Sequence, residues 1–461
     1  MQLDRTIFRA YDIRGVYGKT IDEEVMRGIG RAVGTIMLRR GMGSEILIGN
    51  DIRASSPALS AAFVEGVRLM GVNVTDVGTA SFGAAVFAGW KKKFDITAYV
   101  TASHNPPEWN GIKFFDKSGV GFFEEVNMEI GRIVMENDFE KPAAAAGILS
   151  KADAKPEYLG HLKSIFVFKK PLKAVIDCGN GSTSLVARTV FAMFPQIDAD
   201  IIFDDVDPMF PARGADIEKE NVQKLRERVV ATGADIGVAF DGDGDRVNVV
   251  DDRGDIVTMD QLLTMIGEDM LKGKNGRHVV ANVECSMLLE KLLAPMGAKV
   301  VRVPVGHTFM MQAAQKYDAV LGGESSYHCV IPSYMPFDDA MVAALKVIEV
   351  LSNRDEKLSA IVAMMPVFTK ERVNINCPDG TKFKVLGRLK DKFAANFEES
   401  RLNTMDGVRV EMDDGWALIR CSNTSPMIRV TVEAVDAAAL ERIKSEFIGY
   451  LNEEIARGES A

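Results

Sequence analysis

A strand, loop, helix, strand pattern that returns three times constrains this 461-residue chain more than any other feature. Apolar, β-rich runs at 45–48, 173–177 and 278–283 each lead through a short loop into an amphipathic helix, expected at 57–70, 183–193 and 286–293. Each helix is followed by a second apolar run, at 72–77, 199–203 and 299–303. A helix between two such runs brings them back parallel, with helices covering the sheet. The pattern therefore predicts an α/β chain of three similar domains with mixed, mainly parallel sheets. The tail differs: strands at 407–412, 416–420 and 428–434, then one long helix at 437–457, predict a smaller C-terminal α+β domain with antiparallel hairpins. The expected boundaries are 1–150, 151–255, 256–367 and 368–461.

Composition narrows the function. Hydrophobic residues at 47% and charged residues at 26% exclude wholesale disorder, and a net charge of −10 argues against a nucleic-acid-binding surface. Five scattered cysteines without C-x-x-C give no disulfide framework and no cysteine zinc site, which fits a reducing compartment. Residues 1–15 carry Asp4 and Asp12 and lack a signal-peptide core, and no run reaches the roughly 18 apolar residues of a membrane span. The expectation is a cytoplasmic protein with no membrane or nucleic-acid partner. The phosphate loops G-x-x-x-x-G-K-[ST] and G-x-G-x-x-G do not occur.

Four loops carry candidate chemistry. In Asp241-Gly242-Asp243-Gly244-Asp245-Arg246, three carboxylates on alternate positions of a glycine-loosened loop converge on one hard divalent cation, magnesium above all. A calcium loop needs Gly at its sixth position and Glu at its twelfth, where this chain has Arg246 and Asp252. In Thr101-Ala102-Ser103-His104-Asn105-Pro106-Pro107, Ser103 ends a strand at 96–100 as a nucleophile, a phosphate carrier or a plain turn serine. His104 is its immediate neighbour, and strand alternation predicts a ring pointing away from the Ser103 oxygen. Gly322-Gly323-Glu324-Ser325-Ser326-Tyr327-His328 offers Glu, Ser and His to sugar hydroxyls, or holds a buried Glu–His pair. Arg420-Cys421-Ser422-Asn423-Thr424-Ser425-Pro426, with Arg429, has the hydroxyls, amides and guanidinium groups of a phosphate cradle. Three histidines, His104, His307 and His328, lie in or beside these loops; His161 and His278 read as structural.

In this order the four loops resemble the α-D-phosphohexomutase family over essentially the whole chain. Phe8-Arg9-Ala10-Tyr11-Asp12-Ile13-Arg14-Gly15 and Asn110-Gly111-Ile112-Lys113 resemble its phosphomannomutase/phosphoglucomutase branch. The resemblance implies a phosphoserine at Ser103, and magnesium held by Asp241, Asp243, Asp245 and a phosphoserine oxygen. It implies Glu324 and Ser326 on sugar hydroxyls, and Arg420, Ser422, Asn423, Thr424 and Arg429 on the phosphate that is not transferred. Arg14, Lys113, Arg246, His307 and His328 would line a central cleft among the domains. The implied activity interconverts hexose 1-phosphate and hexose 6-phosphate, mannose or glucose, through a hexose 1,6-bisphosphate. Lys113 and His328 are the candidates for moving the hydroxyl proton. A phosphoglucosamine mutase, a magnesium-dependent sugar phosphatase and a non-catalytic sugar-phosphate sensor are the alternatives; the motifs fix neither the preferred sugar nor the oligomeric state. Tyr327 stands where the family usually has glycine, which places a phenol ring beside Glu324, and Ser425 stands where related branches often have Glu.

Overall fold

The computed structural model describes residues 4–8, 12–274, 276–422 and 426–459. The first sheet contains β1 (Ile13–Val16), β2 (Glu45–Asn50), β3 (Asn73–Thr79), β4 (Ile96–Val100), β5 (Trp109–Asp116) and β6 (Leu149–Lys151), in the order β1-β5-β4-β2-β3-β6. The second has β7 (Leu172–Asp177), β8 (Ile197–Ile202), β9 (Ile236–Phe240), β10 (Val247–Asp251) and β11 (Ile256–Val257), ordered β11-β10-β9-β7-β8. The third has β12 (His278–Asn282), β13 (Lys299–Val303), β14 (Leu321–Gly323) and β15 (Cys329–Val330), ordered β13-β12-β14-β15.

One topology underlies all three. β5-β4-β2-β3, β10-β9-β7-β8 and β15-β14-β12-β13 are the same arrangement, three parallel strands with an antiparallel hairpin strand added at the third. The repeat thus extends one hairpin beyond the strand, helix, strand pattern visible in the sequence. The helix after β2, Ser56–Leu69, crosses helix Glu23–Arg39 where a Cβ on Gly66 would fall 2.1 Å from the Arg27 carbonyl oxygen, and one on Gly30 2.3 Å from that of Phe63. Only glycine permits that backbone contact.

Two expected helices are shorter. The run at 183–193 divides into a 3-10 turn, Ser182–Leu185, and helix Ala187–Ala192, because Val186, turned into the core, sits at φ −128°. The helix expected from 286 begins at Leu288. Its approach is capped by side chains: Asp260 accepts from the Ser286 amide, and the Ser286 hydroxyl from the Leu288 amide at 3.0 Å.

The fourth sheet is wholly antiparallel: β16 (Thr369–Asn376), β17 (Leu402–Asn403), β18 (Val408–Met412), β19 (Gly415–Cys421) and β20 (Met427–Ala434), ordered β16-β20-β19-β18-β17. Helices Asp379–Asn396 and Ala437–Glu459 accompany it. β16 gave no strand signal because it is an edge strand with alternate residues exposed and few apolar side chains.

One buried apolar cluster runs through the first three units, and the fourth has its own. Helix Ala340–Ser352 fills the seam between the second and third units, buried at every position and packed on β9, β10 and helix Met259–Leu271. Among the described residues no helix is long and apolar enough to cross a membrane.

The fourth unit sits on the third through Arg409. Its guanidinium lies 3.8 Å over Trp416 and donates to the carbonyls of Val283 and Cys285 at 2.6 and 3.0 Å. Glu433 accepts from the Trp416 indole at 2.7 Å and from the Met287 amide at 2.8 Å. Arg409→Ala leaves the buried Val283 carbonyl unpaired, while that of Cys285 keeps Arg302 at 2.9 Å, and hydrogen bonds to a charged group contribute about 1.5–3 kcal/mol each. The expected result is an early, separate calorimetric unfolding transition of the fourth unit while the remaining transition stays in place.

Candidate active site

The loops carrying Ser103, the three aspartates and Glu324 occupy equivalent places: each joins the third parallel strand of its unit to the hairpin strand, β4 to β5, β9 to β10 and β14 to β15. Each lies at the carboxyl end of a parallel strand, where open α/β sheets form their binding crevices. Each also turns with one residue in the left-handed region: Ser103 at φ 53°, Gly244 at φ 90° and Tyr327 at φ 75°.

Ser103 is held by Arg53. This buried guanidinium donates to the carbonyls of Ser103 and Asn105 at 2.7 Å each, Pro106 at 2.6 Å and Trp109 at 3.1 Å, and pairs with Asp51 at 3.1 Å. Four carbonyls gathered on one planar fork fix the loop. The Ser103 hydroxyl donates to Asp241 Oδ2 at 3.1 Å, which joins the first unit to the second. It also lies 3.1 Å from His104 Nδ1, so the expectation that His104 points away is wrong. The alternation rule assumes extended backbone, and the left-handed Ser103 breaks it. Burial, with Arg246 and Arg14 close by, pushes His104 down to about 2, leaving the ring neutral.

The aspartate loop is fully buried. Lys113 on β5 reaches across from the first unit, 3.0 Å from Asp243 and 2.5 Å from Asp245. Burial raises Asp241 well above the usual carboxylate range, with Asp245 and Asp243 adding to the shift. For Asp245 burial acts the same way, but Lys113, His328 and Arg246 outweigh it and hold the group well below that range. Asp243 Oδ1 and Asp245 Oδ1 are buried without a hydrogen-bond partner. Three converging carboxylates with unsatisfied oxygens fit a hard divalent cation. Asp245 also belongs to a second group with His307, His328 and Asp338, ligand atoms all within 4.8 Å of one another.

Arg246 and His328 meet across the second and third units, by an antiparallel bridge and by Arg246 Nε donating to His328 Nε2 at 2.9 Å. Asp338 Oδ2 lies 3.2 Å from His307 Nδ1 and 2.5 Å from His328 Nδ1. The buried acid–histidine pairing therefore falls to Asp338 and not to Glu324. Glu324 Oε1 accepts from the Gly306 amide at 2.6 Å and from Asn282 at 3.1 Å, and the Ser326 hydroxyl lies 3.5 Å from Oε2. Arg14 on β1 donates to Asn105 at 3.2 Å and pairs with Asp12.

Segment 305–307 connects the Glu324 loop to the fourth unit. The Val305 amide donates to Asp406 at 3.0 Å; Asp406 accepts from Arg420 Nε at 2.8 Å. Arg420 also lies 3.7 Å from Glu284, and its β-sheet partner across β19 and β20 is Arg429, whose guanidinium is shifted down by burial and by Arg372 and Arg420. Lys382 donates to the Ser422 carbonyl at 2.6 Å. Asn423, Thr424 and Ser425 lie outside the described residues.

Models of the phosphoglucomutase/phosphomannomutase alpha/beta/alpha domains I, II and III match residues 5–141, 156–254 and 258–368, and that of the C-terminal domain matches 373–449. The chain belongs to this family. It is 35% identical to a Pseudomonas putida phosphomannomutase/phosphoglucomutase over 451 residues, 96% of this chain and 95% of that one. It is also 35% identical to a probable phosphoglucosamine mutase of Methanocella arvoryzae, over 95% of this chain and 96% of that one. A phosphoglucomutase/phosphomannomutase family protein of Burkholderia thailandensis superposes with a TM-score of 0.90 at 30% identity, covering 98% of each chain.

Against the family pattern, Tyr327 does not present its ring to Glu324 as expected. It packs on the apolar cluster of the second unit, and its hydroxyl donates to Glu218 at 3.2 Å. His161 and His278 are structural, bonded to the carbonyls of Tyr334 and Tyr317. All five cysteines are buried free thiols.

Sequence reasoning missed Arg53 and Asp338. Asp51-x-Arg53 in the polar loop after β2 was the available signal for the first, and an Asp338–Asp339 pair before a wholly apolar run for the second. Arg53→Lys keeps the charge but loses the fork, so Ser103 loses its support. A misplacement of about 1 Å costs on the order of 10²-fold in rate. The expected result is a kcat lower by about that factor with substrate binding retained, read from steady-state kinetics beside a melting curve; wild-type kcat would remove Arg53 from this role.

Proposed function

We propose that this chain interconverts hexose 1-phosphate and hexose 6-phosphate by phosphoryl transfer through Ser103, with a hexose 1,6-bisphosphate as intermediate and activator. The observation that carries this reading is the Ser103 hydroxyl, buried and 3.1 Å from Asp241 at the edge of a carboxylate cluster with two unsatisfied oxygens. A phosphoserine placed there would stand where a divalent cation held by that cluster could neutralise it. Four units, 1–150, 151–255, 256–367 and 368–461, each supply one loop to a central cleft.

In the resting protein Ser103 carries the phosphoryl group. Asp241, Asp243, Asp245 and a phosphoserine oxygen would hold Mg2+, which would offset charge on the transferring group. The sugar hydroxyl attacks phosphorus, the bond to Ser103 Oγ breaks, and the hydroxyl proton passes to His328; Lys113, the other candidate from the sequence, is held as a charged ammonium by Asp243 and Asp245 and has no lone pair to take it. Lys113 and Arg246 offset the charge that remains, since a loose phosphoryl transition state asks mainly for positioning and neutralisation. Glu324 and Ser326 hold sugar hydroxyls. Arg420, Ser422, Asn423, Thr424 and Arg429 hold the phosphate that is not transferred, while Arg14 and His307 line the cleft. After the bisphosphate turns over, Ser103 is rephosphorylated from its other end. The partners are small sugar phosphates, with no nucleic acid or membrane, and buried reduced thiols suit the cytoplasm.

The family relatives at equal identity carry mannose/glucose and glucosamine names, so the preferred sugar is set by assay. Mannose, glucose and glucosamine 1-phosphates, each with Mg2+ and a trace of the matching bisphosphate, are expected to give conversion with mannose or glucose. Ser103→Ala should abolish conversion, and intact mass should place one phosphate on Ser103 of the wild-type protein. Conversion surviving the substitution would remove Ser103 from the transfer, and phosphate released to water as the main product would replace the mutase with a phosphatase. Asp243→Asn should lower turnover by at least about 10²-fold, since it removes one of three charged ligands and a partner of Lys113. Exhaustive chelation should reproduce the loss, and readdition of Mg2+ should restore the chelated wild type but not the variant.

A further inference from the structure

Resting on the mutase reading, we propose that Asp338 is the positioning residue of this site: it fixes His328 as the Nδ1–H tautomer, with Nε2 presented to the reacting hydroxyl, and holds His307 alongside. Arg246 Nε has only a hydrogen to give, and it lies 2.9 Å from His328 Nε2. Nε2 therefore carries the lone pair, and the ring proton sits on Nδ1. That nitrogen is 2.5 Å from Asp338 Oδ2, a charge contact that favours a proton there although no aligned hydrogen bond joins the two atoms. The same oxygen is 3.2 Å from His307 Nδ1, and the two rings are 5.3 Å apart. One wholly buried carboxylate thus sets the orientation of both imidazoles.

The corner that carries Asp338 is built without its side chain. Asp339 Oδ1 caps helix Ala340–Ser352 by accepting from the amides of Met341 and Val342 at 2.8 and 3.2 Å. Asp339 Oδ2 accepts from the Tyr158 hydroxyl at 2.9 Å, and the Ala340 amide donates to the Gly244 carbonyl in the aspartate loop at 3.2 Å. These contacts anchor the corner to the second unit and leave the Asp338 carboxylate to the histidines. When the substrate hydroxyl takes the place of Arg246 at Nε2, its proton moves to that nitrogen as its oxygen bonds to phosphorus. The other proton stays on Nδ1, facing the ionised Asp338 carboxylate, and the return half-reaction gives the Nε2 proton back.

Asp338→Asn is the test. An amide in that place either turns its NH2 toward Nδ1–H, forcing the other tautomer, or buries the NH2 where Asp338 Oδ1 has no partner. In a serine protease the equivalent change costs about 10⁴ in kcat by the wrong tautomer. Here kcat should fall by on the order of 10²–10⁴-fold, with KM within about threefold and Ser103 phosphate and melting temperature unchanged. In a His328→Gln background the same substitution should cost little more. Nitrogen-15 spectra of the imidazoles should show His328 as Nδ1–H in the wild type and shifted toward Nε2–H in the variant. Wild-type kcat in Asp338→Asn, an equal loss in the His328→Gln background, or a wild-type His328 found as Nε2–H overturns the proposal. A wild type that converts no hexose phosphate refutes the mutase reading instead, and the nitrogen spectra still decide the tautomer in that case, as they do if the variant fails to fold.

Discussion

Three buried carboxylates on one six-residue loop are the constraint around which the first three units are arranged. Asp241, Asp243 and Asp245 are each no more than 1% exposed. Their mutual repulsion in a low-dielectric interior is large, and burying one unpaired charge costs several kcal/mol. The loop's own unit supplies Arg246, and the first unit supplies Lys113 from the middle of a strand. Two cations against three carboxylates leave a deficit. Burial therefore drives Asp241 toward the neutral form while Lys113 and Arg246 keep Asp245 ionised. The site is consequently a load on the fold that the docked first unit relieves in part through Lys113. Docking and charge balance are one requirement here.

The sequence made visible what depends on local pattern. Dense carboxylates after an apolar run located the buried aspartate loop, and the helix flanked by two strands located the repeats. Interactions between segments far apart in the chain were hidden. Arg53 and Ser103 are fifty positions apart, and an arginine in a polar loop looks solvated until four carbonyls are found around it. Asp338 was hidden because an acid before a helix reads as a cap, and here its neighbour Asp339 does the capping. His104 failed for a local reason: one left-handed residue cancels the alternation that the inference assumed. β16 failed because an exposed edge strand carries almost none of the apolar signal by which strands are recognised.

Tyr327 shows how one position can move from the site to the frame. Its left-handed backbone, at φ 75°, costs a residue with a Cβ about 1 kcal/mol relative to glycine. The ring offsets that cost by packing on the second unit and bonding Glu218. A side chain in the sugar loop thus acts as a clasp between the second and third units, one residue from His328.

Placing the three chemical loops on one repeated hairpin separates position from chemistry. The strands before each loop are parallel and buried, so the point at which the chain leaves the sheet is the same in each unit, whatever residues follow. One copy then holds a serine, one a cation cluster and one a carboxylate with a histidine, and none of them needs to alter its sheet. The fourth unit lacks this topology. Its Arg420 reaches the third unit through Asp406 and segment 305–307, the same segment that orients Glu324 and His307. The fourth unit is therefore bonded to the segment that holds Glu324 and carries His307, while the Ser103 and aspartate loops are bonded to each other across the first two units.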